Sequence, residues 1–122
     1  MKTTTLQLLP TTSYGTPSGN YDGSSLDFNG DREQAANYYG GFGDLQTIAF
    51  FVRNFEGRIT IQASLDTDPT QDDQWFRIYE YDTASSQLTA SFAVNLTGNF
   101  VWIRARVEDF LAGEIDQVQV SY

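Results

Sequence analysis

The chain contains no cysteine and no histidine. The first absence excludes disulfides and thiolate metal or redox centres. The second removes the commonest general base, the usual zinc ligand, and the Ser-His and Cys-His nucleophile systems. Chemistry built from carboxylates alone, as in glycoside hydrolysis, passes both filters. Lysine is nearly missing too: Lys2 stands beside six arginines. Arginine suits planar, partly buried contacts better than lysine does, which hints at an interface. No apolar run approaches the roughly 18 residues that a membrane helix needs. The opening MKTTTLQLLPTTSYG has an apolar patch too short and too interrupted for a secretory signal. A protein made and used without export by the general secretory route is expected.

What is present fits one globular domain over residues 1–122. The chain has 122 residues, of which 40% are apolar and 15% aromatic, enough for one core. Its net charge of −9 disfavours nucleic acid and anionic membranes as partners, since both call for a basic surface.

Period-two alternation dominates from residue 45 onward, as in half-buried strands. Ile48, Phe50 and Val52 share one face of LQTIAFFVRN. Ile59, Ile61, Ala63 and Leu65 do so in GRITIQASL, and Phe76 and Ile78 in QWFRIYEY. LTASFAVNL offers Phe92 and Val94, NFVWIRARV offers Ile103, and DQVQVSY offers Val118 and Val120. TTLQLLP and SSLDFNG add two earlier strands. NFEG (54–57) and NLTG (95–98) share Asn-x-x-Gly and predict tight hairpin turns. DREQAANYY and VEDFLAGE are the only candidates for a helical turn. Strands of this kind bury their apolar faces most economically as an all-β antiparallel sandwich, expected to be of jelly-roll type. Residues 10–44, rich in Gly, Ser, Thr, Asn and Tyr, read as a loop-rich N-terminal arm wrapped over the core.

Four candidate sites follow. ASLDTDPTQDDQWF (63–76) places Asp66, Asp68, Asp72 and Asp73 together. A calcium hand counted from Asp66 would need glycine where Gln71 stands and glutamate where Arg77 stands, so the hand is absent. A looser cation site or a solvated loop turning at Pro69 remains, and neither metal nor other cofactor is expected. Asp22, Asp27, Asp31, Glu33 and Asp44 could supply a carboxylate pair, but no nucleophile–base set accompanies them. The third candidate is a face. Phe51 and Arg53 on one strand, and Trp102, Arg104 and Arg106 on another, put aromatics and arginines on the side a lone sandwich leaves wet. Strands 45–54 and 99–107, if neighbours, would bring these five onto one side of one sheet. The chain's own arm, a protein partner or a glycan could cover them. Last, the sequon at Asn95 is read as a turn.

The stretch ITIQASLDTDPTQDDQWFRIYEY, with GNFVWIRARV and IDQVQVSY, resembles galactose-binding-like (discoidin-type) jelly rolls over residues 45–122. LQTIAFFVRNFEGRITIQASLDTDPTQDDQWF and LTGNFVWIRARVEDFLAGEID more closely resemble small structural proteins of T4-like tailed phages, notably those of marine cyanobacteria. That resemblance implies a non-enzymatic virion protein, for capsid decoration or tail or fibre attachment, assembled in the host cytoplasm. It would contact other virion proteins, with self-association as an option. The alternative is a carbohydrate-binding module for host attachment, with Tyr38, Tyr39, Phe42 and Trp75 as its stacking platform.

Overall fold

A computed structural model describes residues 4–38 and 44–122. Eight strands follow in order: β1 (Thr5–Leu9), β2 (Thr12–Ser13), β3 (Phe28–Asn29), β4 (Glu33–Gln34), β5 (Leu45–Ser64), β6 (Phe76–Asp82), β7 (Leu88–Thr97) and β8 (Trp102–Ser121). Every ladder is antiparallel, and all eight strands belong to one hydrogen-bonded sheet.

That sheet folds on itself because its two central strands bend together. β5 and β8 are each 20 residues long and pair from Thr47↔Ser121 to Ser64↔Trp102. Halfway along, their ladder slips register. Asn54 (φ 48°) opens the bend in β5 and Asp109 (φ 52°) opens the bend in β8. Asparagine and aspartate tolerate this left-handed conformation better than other side chains. The next residue of each, Phe55 and Phe110, is fully buried, and the two rings lie 5.7 Å apart. Gly113 (φ 88°) sits against the Asn54 carbonyl, where a Cβ would overlap it. Thr83 clasps the bend from the end of β6, its hydroxyl accepting from Gly57 N at 3.1 Å.

The bend makes two facing layers. In the first, β1 pairs with residues 118–121 of β8, residues 114–121 of β8 with residues 47–53 of β5, and β5 from Leu45 onward with β7. In the second, β3 and β4 pair within residues 102–107 of β8, residues 102–108 of β8 with residues 58–64 of β5, and residues 58–63 of β5 with β6. Across the gap, Phe50 meets Tyr79 and Tyr81 at 5.7 and 6.2 Å, and Phe92 meets Tyr81 at 4.9 Å. Ile48, Phe50, Ile59, Ile61, Ile103, Val118 and Val120 are fully buried in one core, and Phe92 and Val94 pack against it. The all-β antiparallel sandwich is therefore as expected.

Several local expectations are corrected. NFEG is no hairpin turn: β5 runs through it, and its glycine serves the bend. NLTG also closes no hairpin, because Asn95 lies within β7, which pairs with β5 and not with β8. VEDFLAGE is strand throughout, and DREQAANYY yields β4 followed by a turn in which Tyr38 N donates to Ala35 O. Phe76 is 41% exposed and Leu65 62%. The ladder between β5 and β6 shifts between Ile61↔Tyr79 and Gln62↔Arg77, leaving Ile78 as the extra residue. One extra residue reverses side-chain parity, so Tyr79 and Tyr81 turn inward. The arm contributes Tyr21, Phe28 and Ala35 to the core, and its short strands add an edge to the sheet. β2, β3 and β4 all pair along the edge of β8, and Tyr21 and Phe28 close around Phe110.

Gly113→Ala tests the bend against Gly15→Ala, where φ is +86° but nothing lies within 4 Å of a new Cβ. Chemical denaturation should show a loss of about 1 kcal/mol at Gly15, the cost of left-handed alanine, and at least about 3 kcal/mol at Gly113, where backbone must also move. Equal losses would contradict a bend that depends on this contact.

Candidate interaction faces

The two layers present outer faces of opposite character. On the second layer, outward positions carry Arg58, Thr60 and Gln62 of β5 beside Glu108, Arg106 and Arg104 of β8, with Trp102 beside Ser64 at the end. Ion pairs knit this face: Arg58 to Glu108 at 3.0 Å, and Arg77 to Glu80 at 3.0 Å.

The aspartate loop folds back over the Trp102 end. Trp75 is buried, and the Arg104 guanidinium lies 4.3 Å from its ring centre. Arg104 Nε donates to Gln62 Oε1 at 2.7 Å, and Trp102 Nε1 donates to the Thr67 carbonyl at 2.8 Å. Arg32 of the arm sits 4.4 Å above the Trp102 ring and bonds both Asp68 and the Pro69 carbonyl. Tyr38 packs against Trp102 at 4.9 Å. Burial pushes the Arg104 guanidinium below its usual value, against the opposing pull of Asp72. Two stacked arginine–aromatic pairs, partly desolvated, hold this loop more firmly than its exposed ion pairs do. The face's cover is thus the chain's own residues 65–75 with Arg32 and Tyr38.

The five expected interface residues do not share one face. Residues 102–108 pair with 58–64, not with 45–54, so Trp102, Arg104 and Arg106 lie on the second layer and Phe51 and Arg53 on the first. The doubled length of β5 and β8 causes the separation. Of the expected stacking platform, Trp75 is buried under Arg104 and Tyr38 engages Trp102, while Tyr39 and Phe42 lie outside the described residues.

The first layer's outer face is uncharged over most of its extent. Its rows read Thr5–Ser121–Thr47–Asn95, then Gln7–Gln119–Ala49–Ala93, then Gln117–Phe51–Ser91. Thr47 donates to Asn95 Oδ1 at 2.7 Å and Thr5 to Ser121 at 3.2 Å. Among the described residues charge returns at the bend, where Arg53 pairs with Glu114 and with Asp116. Asp116 first, then Glu114, hold the Arg53 guanidinium above its usual value. Sequence reading found Phe51 but missed the rows. Their signal is available: odd-numbered positions 47–51 and 91–95 are all neutral in a chain of net charge −9.

The arm's carboxylates serve local turns. Asp22 accepts from the Ser24 and Ser25 amides and the Ser25 hydroxyl, which hold its pKa down at about 2. Asp27 caps the β8 bend through Asp109 N at 3.0 Å, and Asp31 accepts from Asn20. Burial, helped by Asp31, raises Glu33 above the usual carboxylate value. Among the described residues no three carboxylates converge on a common point. No family model matches the chain, and no curated protein matches it.

Trp102→Ala combined with Arg104→Ser should lower the stability of the isolated chain by about 3 kcal/mol, the scale of a truncated packed aromatic. Asp72→Ala should change it by less than about 0.5 kcal/mol, since Asp72 is exposed and its pairing is weak. Urea unfolding measures both. An unchanged double variant would mean that the loop does not cover this face.

Proposed function

We propose that this chain is a non-enzymatic structural protein of a tailed-phage virion, for capsid decoration or tail or fibre attachment, built as a jelly-roll-type sandwich and acting by protein–protein contact. The virion part rests on the resemblance of LQTIAFFVRNFEGRITIQASLDTDPTQDDQWF and LTGNFVWIRARVEDFLAGEID to small phage structural proteins. The contact part is carried by one observation: the neutral rows around Phe51 on the first layer. In an acidic protein such a face can approach a second surface without bringing charge together or stripping water from ions. Phe51 stands in the middle of these rows as a large apolar side chain, with exposed Leu45 at the end of the same face, the kind of residue that dominates interface energetics. Many copies on a repeated lattice would add their modest affinities.

Phe51→Glu tests this reading, because residue 51 lies outside the core. The variant should fold and melt like the parent. Its co-sedimentation with particles of the parent phage assembled without this protein should weaken about tenfold or more, as expected for a central contact. Unchanged particle binding by a folded variant would overturn the assignment of this face. A parent chain that does not bind the particles would overturn the virion reading.

A further inference from the structure

Among the described residues the sandwich has four edges, and three are protected against pairing with another chain. β1 is short, is followed by Pro10, and slips register between Gln7 and Leu9. β3 and β4 are two-residue strands. β6 carries Arg77, Glu80 and Asp82 and is broken by its bulge. Charge, proline, brevity and bulges are the usual means by which an open edge is kept from templating a new strand. β7 has none of them. It is a ten-residue strand, LTASFAVNLT, with no charge, proline or glycine, regular from Leu45↔Thr97 to Val52↔Ala90. Among the described residues it pairs with β5 alone.

The phase of that ladder shows which groups are left over. Gly98 N donates to Asp44 O, so even-numbered residues of β7 face β5 with their backbone groups. By the alternation of antiparallel ladders, Ser91, Ala93, Asn95 and Thr97 direct both N–H and C=O to the open edge.

We infer that β7 is a dimerisation edge, and that its occupant is β7 of a second copy, paired antiparallel about a two-fold axis at Ala93. The choice of occupant follows from the strand itself. An isologous contact needs a self-complementary surface. Centred on Ala93, the outward side chains oppose Ser91 to Asn95 and Thr89 to Thr97, all small and neutral. On the inner side Phe92 falls beside Val94 of the second copy and Ala90 beside Leu96. These four are only partly buried in the single chain. Pairing would therefore cover apolar surface as well as satisfy backbone groups. A charged partner has nothing to recognise here, whereas two chains of net charge −9 meet with least repulsion along a neutral edge. This inference stands apart from the virion reading, since it concerns the purified chain alone.

Sedimentation equilibrium of the full chain, with amide hydrogen exchange over a concentration series, tests it. The expected result is a discrete dimer at about 100 μM. Exchange at Ser91, Ala93 and Asn95 should slow as concentration rises, while Ala90, Phe92 and Val94 stay protected throughout. Ala93→Lys puts like charges opposite each other on the axis. It should remain folded by circular dichroism and weaken association about tenfold or more. A parent chain that stays monomeric at that concentration, with fast and concentration-independent exchange at Ser91 and Ala93, would overturn the inference. So would a dimer that Ala93→Lys leaves intact, or open-ended growth in place of a dimer.

Discussion

The contact between Gly113 and the Asn54 carbonyl is the constraint on which the rest of this structure depends. It lets two twenty-residue strands bend at the same level while remaining paired on both sides of the bend. A single strand could turn a corner with a bulge alone. Two neighbours turning together must pass one backbone against the other, and only a residue without Cβ permits that approach. Phe55 and Phe110, carried inward by left-handed Asn54 and Asp109, fill the space inside the corner. Tyr21 and Phe28 of the arm close around Phe110 and seal that end of the core. The bend therefore decides which residues become neighbours across the layers, and which outer face each half-strand serves.

Two unlike faces follow. Both are built from the same pair of strands, yet 58–64 with 102–108 is charged and 45–51 with 117–121 is neutral. The charged half is largely paired within the chain: its arginines are bonded to carboxylates, to Gln62 and Asn29, and stacked on Trp75, while Arg58 Nε is buried without a hydrogen-bond partner among the described residues. The neutral half and its outer strand β7 keep their polar groups turned to water. A surface already occupied by its own loop offers little to a partner, whereas an uncharged one is desolvated at smaller cost than a charged one.

Much of this was legible in the sequence. Period-two alternation gave the strand class and most of the core, because inward positions such as Ile48, Phe50, Ile59, Ile61 and Ile103 obey it without interruption. It failed where one residue is added. The bulge at Ile78 reverses the parity of β6, and no local signal in RIYEY marks it. It also failed on strand length. Asn54–Gly57 carries the chemistry of a tight turn, and left-handed asparagine and nearby glycine serve a corner as readily as a hairpin. The repetition of that chemistry at Asp109–Gly113, again with phenylalanine second, was the available clue that the two segments bend as a pair. Arg104 and Trp102 were visible as an arginine–aromatic set. Their cover comes in part from the arm, through Arg32 and Tyr38, and in part from the aspartate loop, whose charges give no sign that Trp75 anchors it over Arg104.

Backbone nuclear Overhauser effects between strands test the paired bend most directly. In one sample, cross-strand contacts should link Phe51 with Gln117 and also Gln62 with Arg104, with Phe55 and Phe110 ring protons in mutual contact between the two sets. Contacts linking residues 45–54 to 99–107, or two separate hairpins with no continuity through Asn54–Gly57 and Asp109–Gly113, would contradict it.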